Sequence, residues 1–127
     1  MKQIWIIDDD EEMGRAIGLM LRLLACESTL FFSARSAVQA LLTGKKPDLM
    51  LVDINMPEVS GLDLVEFLRR RPEWKDMPIV MFSSEAADTM VDKALRLGAD
   101  AYILKPVTLE ELEKAISDAL SKHAISE

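Results

Sequence analysis

Four short polar stretches, each directly after an apolar run, carry the residue types that could do chemistry. Asp8-Asp9 follows Ile4-Trp5-Ile6-Ile7, Asp53 follows Leu49-Met50-Leu51-Val52, Ser83 follows Ile79-Val80-Met81-Phe82, and Lys105 follows the stretch Ala101 to Leu104. If the first and third runs are neighbouring strands, Asp9 and Asp53 lie about one strand spacing apart, ~5 Å. Two carboxylates at that distance repel by roughly 3 kcal/mol at an effective dielectric of about 20, and Asp8 adds to the repulsion. Lys105 supplies one compensating charge. A hard divalent cation supplies the rest: Mg²⁺, with Mn²⁺ as a second candidate, takes one or two carboxylates plus water and phosphate oxygens. An aspartate beside such a cation can itself be a nucleophile and form an acyl phosphate. The cation and Lys105 would offset charge on the transferring oxygens, and Ser83 would offer a hydroxyl donor.

That chemistry needs elements that bring the four stretches to one rim, and the periodicity supplies them. Met13, Ile17, Met20, Leu21 and Leu24 recur at the spacing of an amphipathic helix after the first strand. Leu30-Phe31-Phe32 reads as a second strand, and Ser36 to Thr43 as a short helix ended by Gly44. After the third strand and a turn containing Pro57 and Gly61, a helix runs to Arg71, where Pro72 ends it. Ala87, Val91, Ala94 and Leu95 follow the fourth strand as a helix stopped at Gly98. Thr108-Leu109-Glu110-Glu111 reads as a capping box opening a last helix with the stripe Leu109, Leu112, Ile116 and Leu120. Strands apolar on both faces imply a parallel sheet covered by helices on both sides, a three-layer α/β sandwich with right-handed crossovers. In such sheets ligands bind at the carboxyl rim, where the strand order reverses.

Charge and composition narrow the classes. The 127 residues carry 22 acids against 15 bases, and five of those acids stand together at positions 8–12. Without them the balance is 17 against 15, so the acidity is local. Asp10, Glu11 and Glu12 read as first-helix residues at its positive end, leaving Asp8 and Asp9 for the chemistry. The acidic balance argues against direct nucleic-acid binding. The basic run Arg69-Arg70-Arg71 reads as cations closing a helix. No apolar run approaches the ~18 residues of a membrane span. Only four apolar residues follow Met1-Lys2-Gln3, too few for a signal-peptide core. A single cysteine, Cys26, reads as a small buried hydrophobe in a reducing compartment, and His123 as a solvated helix-end residue. A cytoplasmic protein without contact to membranes is expected.

Asp8-Asp9, Asp53-Ile54-Asn55-Met56-Pro57 with Gly61, Ser83 and Lys105-Pro106 together resemble the receiver domain of bacterial two-component response regulators. The resemblance spans essentially the whole chain as a single receiver domain, residues 1–127. It implies a flavodoxin-like (βα)5 fold with a parallel five-stranded sheet of order 2-1-3-4-5, an order the general rule for doubly wound sheets also covers. It implies Asp53 as the phosphoacceptor from the phosphohistidine of a sensor histidine kinase or histidine phosphotransfer protein. Asp9, Asp53 and the backbone carbonyl of Asn55 match direct Mg²⁺ ligands, with Asp8 acting through water. Lys105 would pair with the phosphoryl oxygens. Ser83 would swing toward the phosphoryl group and Tyr102 would rotate inward behind it, switching an effector-binding face of the fourth helix, fifth strand and fifth helix that includes Lys93, Arg96, Tyr102 and Lys114. Asn55 and Glu85 match the pair that tunes phosphoryl lifetime, resembling single-domain chemotaxis-type regulators.

The expectation is therefore a signalling module that assists its own phosphorylation and dephosphorylation, not an enzyme in the turnover sense. An aspartate-nucleophile phosphohydrolase would want a second acid two residues beyond the nucleophile, and that position is Asn55. An FMN-binding flavodoxin-like module would want a neutral phosphate loop after the first strand, where this chain has Asp8-Asp9-Asp10-Glu11-Glu12. Three readings of the chain as a whole stay open: a stand-alone regulator, a relay intermediate, and the receiver of a longer protein.

Overall fold

Alternation along each strand decides which of two cores a side chain joins. The computed structural model describes residues 1–85 and 87–124. Strands β1 (Lys2–Ile7), β2 (Cys26–Phe31), β3 (Leu49–Asp53), β4 (Ile79–Ser83) and β5 (Ala101–Leu104) alternate with helices α1 (Glu11–Leu23), α2 (Ala34–Leu42), α3 (Gly61–Arg69), α4 (Asp88–Leu97) and α5 (Leu109–Ala124). The sheet is parallel, in the order β2-β1-β3-β4-β5, as the resemblance implied.

Ile4, Ile6, Leu49, Leu51, Val80, Phe82 and Ile103 pack with Ile17 and Leu21 of α1 and Leu112 and Ile116 of α5. Their neighbours in sequence, Trp5, Ile7, Met50, Val52, Ile79 and Met81, pack on the other side with Leu41 of α2, Leu64 and Leu68 of α3 and Ala94 of α4. This two-residue period makes three layers from one sheet. Every residue of β3 and β4 is buried, which is why those runs are continuously apolar. Each large aliphatic side chain removed from water there contributes about 1.5–3 kcal/mol.

Local chemistry fixes the helix starts. Asp10 caps α1 by accepting the Met13 N–H at 3.2 Å, with Glu11 and Glu12 in the first turn, as expected for that half of the acidic run. Ser33 caps α2 through the Ser36 N–H at 3.1 Å, so this helix begins two residues before Ser36. Ser60 and Asp63 form a reciprocal capping box on α3. Thr108 accepts the Glu111 N–H at 3.2 Å and donates its hydroxyl to the Glu111 carboxylate at 2.8 Å. α4 stops at Gly98, whose φ of +119° lies in the left-handed region that favours glycine.

Three readings change in the fold. Strand β2 starts at Cys26 rather than Leu30, in register with Lys2 of β1. It is an edge strand whose Glu27, Ser28 and Thr29 are exposed, so no apolar run announces it; Cys26 is half-buried against the α1–α5 core. Arg69 does not simply close a helix beside Arg70 and Arg71. It turns inward, donating Nε to the Gly98 carbonyl at 2.9 Å and Nη2 to Asp100 Oδ2 at 3.3 Å. His123 is half-buried rather than solvated throughout: its Nε2 lies 2.9 Å from the same Asp100 oxygen, which also accepts the Ile79 N–H at 2.8 Å. Asp100 thus ties α3, the start of β4 and the end of α5 together at the amino rim of the sheet, leaving the carboxyl rim free. No helix among the described residues is long and apolar enough to cross a membrane.

Asp100→Ala leaves the half-buried Arg69 guanidinium and the Ile79 N–H without their shared acceptor. It is expected to lower the unfolding free energy by about 2–4 kcal/mol, read from urea transitions; a change below about 0.5 kcal/mol would deny the network its structural role.

Candidate phosphoryl and metal site

The carboxyl rim collects the predicted polar residues because the strands end level with one another. Ile7 pairs with Val52, so the next residues on each chain, Asp8 and Asp53, come out side by side. Asp53 pairs with Phe82 and Ser83 with Leu104, so Ser83 and Lys105 follow one step further across the rim. Backbone bonds hold the strand ends in place: Asp8 N–H donates to the Phe31 carbonyl at 3.0 Å, Ile54 N–H to Phe82 at 3.1 Å and Lys105 N–H to Ser83 at 2.9 Å. The loop from Asp53 to α3 folds back so that Gly61 N–H donates to the Ile54 carbonyl at 3.0 Å. A Cβ on Gly61 would collide with the Asp53 carbonyl, so the close return of the loop requires glycine there. The Lys105–Pro106 peptide is cis.

Asp8, Asp9 and Asp53 converge, each with a carboxylate oxygen within 4.8 Å of the others. Their surroundings differ. Asp8 and Asp53 are buried, at 0% and 3% exposure, while Asp9 is exposed. Asp8 Oδ1 accepts the Asp10 N–H at 2.9 Å, but its buried Oδ2 has no hydrogen-bond partner. Asp53 Oδ1 accepts the Asn55 N–H at 3.2 Å and lies 3.5 Å from Lys105 Nζ. That ammonium also sits 5.2 Å from the centre of the Phe82 ring, which holds it over the rim.

Burial pushes the Asp8 carboxyl from its ordinary 3.8 up to about 7; the Asp10 N–H opposes the rise, the Asp53 carboxylate adds to it, and Lys105 opposes it more weakly. A buried carboxylate oxygen without a partner, facing a second carboxylate, is stable only with a proton or a cation between them. The donor set is all oxygen and includes three acids, which fits a hard divalent cation of the Mg²⁺ class.

Ser83 is fully buried, and its Oγ accepts from Asn55 Nδ2 at 3.2 Å and from the Glu85 N–H at 3.1 Å. Tyr102, half-buried on β5, donates its hydroxyl to the Glu85 carbonyl at 2.9 Å. Lys93, Arg96 and Lys114 are exposed on α4 and α5, on either side of β5, with Lys114 paired to Asp118 at 3.1 Å. The site residues read from the sequence are thus brought together, apart from these three, which lie on the outer face. Sequence reasoning missed the bond between the Asn55 side chain and Ser83, which lie 28 residues apart; the two-residue spacing from Asp53 to Asn55 was the only signal.

Comparison with known proteins agrees with this geometry. The family described as response regulator receiver domain matches residues 4–117. A chemotaxis protein CheY homologue of Campylobacter jejuni is 36% identical over 122 residues, covering 93% of this chain and 92% of its own length. Chemotaxis protein CheY1 of Helicobacter pylori is 33% identical over 121 residues, covering 93% and 96%. Among solved structures, a CheY-like response regulator receiver domain protein of Methanospirillum hungatei superposes with a TM-score of 0.86 at 26% identity, covering 100% of this chain and 99% of that one.

The raised Asp8 pKa has a defined effect on the metal-free protein. Folded Asp8 keeps its proton to higher pH than the unfolded chain does, so the stability this contributes is whole below pH 3.8 and is lost as pH rises through about 7. With chelator present, urea midpoints are expected to fall across that window, and Asp8→Asn is expected to flatten the decline. An unchanged slope in the variant would assign the titration elsewhere.

Proposed function

The chain belongs to the response regulator receiver family, and on that premise we propose that Asp53 is the residue through which it is switched. The protein is a phosphorylation-activated signalling receiver of two-component systems, a family whose members work with histidine kinases and effectors. The observation that carries the assignment to Asp53 is its burial beside Lys105 and the partnerless Asp8 oxygen. It is the one carboxylate of the cluster with an ammonium poised to receive a transferred anion.

In this reading an Asp53 carboxylate oxygen attacks the phosphorus of a phosphohistidine. The P–O bond forms as the P–N bond breaks, and the electron pair leaves with the imidazole nitrogen, which takes a proton from solvent. Asp9, Asp53 and the Asn55 carbonyl would hold a Mg²⁺ ion directly, with Asp8 through water. When bound, the ion supplies positive charge to the transferring oxygens. Lys105, 3.5 Å from Asp53 Oδ1, would donate to those oxygens, and Ser83 would contribute its hydroxyl. Asp53, held by the Asn55 N–H, keeps its attacking oxygen at the rim. Catalysis here is positioning and charge compensation.

The proposed switch runs through the Glu85 backbone. Its N–H donates to Ser83 and its carbonyl accepts from Tyr102, so a displacement of Ser83 toward a phosphoryl group would move the acceptor of the Tyr102 hydroxyl. The population shift would be read on the α4–β5–α5 face by an effector, with Lys93, Arg96, Tyr102 and Lys114 as its polar contacts. Asn55 and Glu85 would set phosphoryl lifetime. We place the protein in the cytoplasm as one receiver domain over residues 1–127, a signalling module and not a turnover enzyme, without direct nucleic-acid contact.

With Mg²⁺ and acetyl phosphate, the intact protein is expected to gain the mass of one phosphoryl group and Asp53→Ala to gain none. An unlabelled wild type, or a labelled variant, refutes the assignment; steady hydrolysis of a small phosphate ester would instead favour a phosphohydrolase. Beryllofluoride is expected to shift the amide resonances of Glu85 and Tyr102, and silence at both would sever the switch from the site.

A further inference from the structure

Ser83 presents one hydroxyl in a fully buried position, with capacity for two accepted hydrogen bonds and one donated. Both accepted bonds are filled, by Asn55 Nδ2 at 3.2 Å from the loop after β3 and by the Glu85 N–H at 3.1 Å from the loop after β4. What remains is the proton, and a buried hydroxyl that cannot donate carries a desolvation cost. We propose that Asn55 is a positioning residue for phosphoryl transfer: by occupying a lone pair of Ser83 Oγ it restricts the hydroxyl rotor, so that the proton stays available for donation to the phosphoryl oxygens as Ser83 shifts toward them. The inference rests on Asp53 being the phosphoacceptor, and deepens that reading by assigning the Asn55 side chain a task separate from its backbone.

The geometry distinguishes this task from simple loop bracing. Asn55 donates twice, by backbone N–H to Asp53 Oδ1 at 3.2 Å and by side chain to Ser83 Oγ. Truncation to alanine removes only the second bond and leaves both the N–H and the carbonyl of residue 55 in the chain. The carboxamide is on an exposed residue, so its removal opens no core cavity. The Glu85 N–H alone leaves the Ser83 rotor two settings for its proton, one of them toward the lone-pair position that Asn55 had filled. Transfer then has to include a rotor search, and the donor is aimed only part of the time.

The test is a double-mutant cycle on the full chain, with phosphorylation by acetyl phosphate and Mg²⁺ followed by intact mass. Asn55→Ala is expected to slow labelling by about twofold, the factor that two rotor settings allow, and Ser83→Ala by about threefold to tenfold, the range one aimed hydrogen bond supports. Because Asn55 acts through Ser83, the double variant is expected to be no slower than Ser83→Ala alone. In a Ser83→Thr background, which keeps the hydroxyl, Asn55→Ala is expected to slow labelling again. A second readout needs no phosphoryl group: in the metal-free protein Ser83→Ala is expected to shift both the Asn55 side-chain amide and the Glu85 backbone amide resonances. Multiplying effects in the double variant, or an Asn55 amide that ignores Ser83→Ala, would overturn the positioning role while wild-type labelling keeps Asp53 as phosphoacceptor. A wild type that takes no label overturns both.

Discussion

Two carboxylates forced side by side at the end of a parallel sheet set the terms for the rest of this molecule. Parallel pairing of β1 with β3 brings Asp8 level with Asp53, and the packed cores on both faces of the sheet give the pair nowhere to go. Burial disfavours both charges and proximity disfavours them further. The protein meets this with one ammonium at 3.5 Å and with an oxygen-lined opening that takes a proton or a hard cation. Three acids converging under such electrostatic strain could hold a cation.

The hydroxyl and the aromatic residue are coupled to this pair by short-range bonds and not by long-range fields. Ser83, the Glu85 backbone and Tyr102 form one connected series of hydrogen bonds from the buried rim to the half-buried edge strand. The opposite rim is built differently. Asp100 gathers Arg69, the Ile79 N–H and His123 on one oxygen, which anchors α3 and α5 to the sheet at the end where nothing has to move.

Much of the fold was legible because it depends on local pattern. The β3 and β4 runs are apolar up to their last residues, Asp53 and Ser83, since both their faces are covered, and the helices announce themselves by stripes and by caps such as Asp10 and Ser60. Strand β2 was half hidden, because an edge strand with exposed Glu27, Ser28 and Thr29 has no apolar signature. The inward partners of Arg69 and His123 were hidden for a different reason: each is an ordinary helix-end residue until a carboxylate from 31 or 23 residues away arrives beside it.

Composition and spacing, taken alone, determined that an acid pair, a lone acid, a hydroxyl and a lysine each sit at the end of an apolar strand, and that parallel strands would bring them to one rim. That much follows from strand direction and side-chain type, which are properties of short segments. Tertiary structure decided which acid is buried and which is exposed, why Gly61 must lack a side chain, and that the Asn55 carboxamide reaches Ser83. Those facts depend on register and loop return across tens of residues, and no short segment of sequence encodes a distance between two others. The acids at positions 8–12 were visible from the first line, and so was their division between a helix start and a charged pocket; the pairing of β1 with β3 decided that Asp8 is the buried one and Asp9 the exposed one.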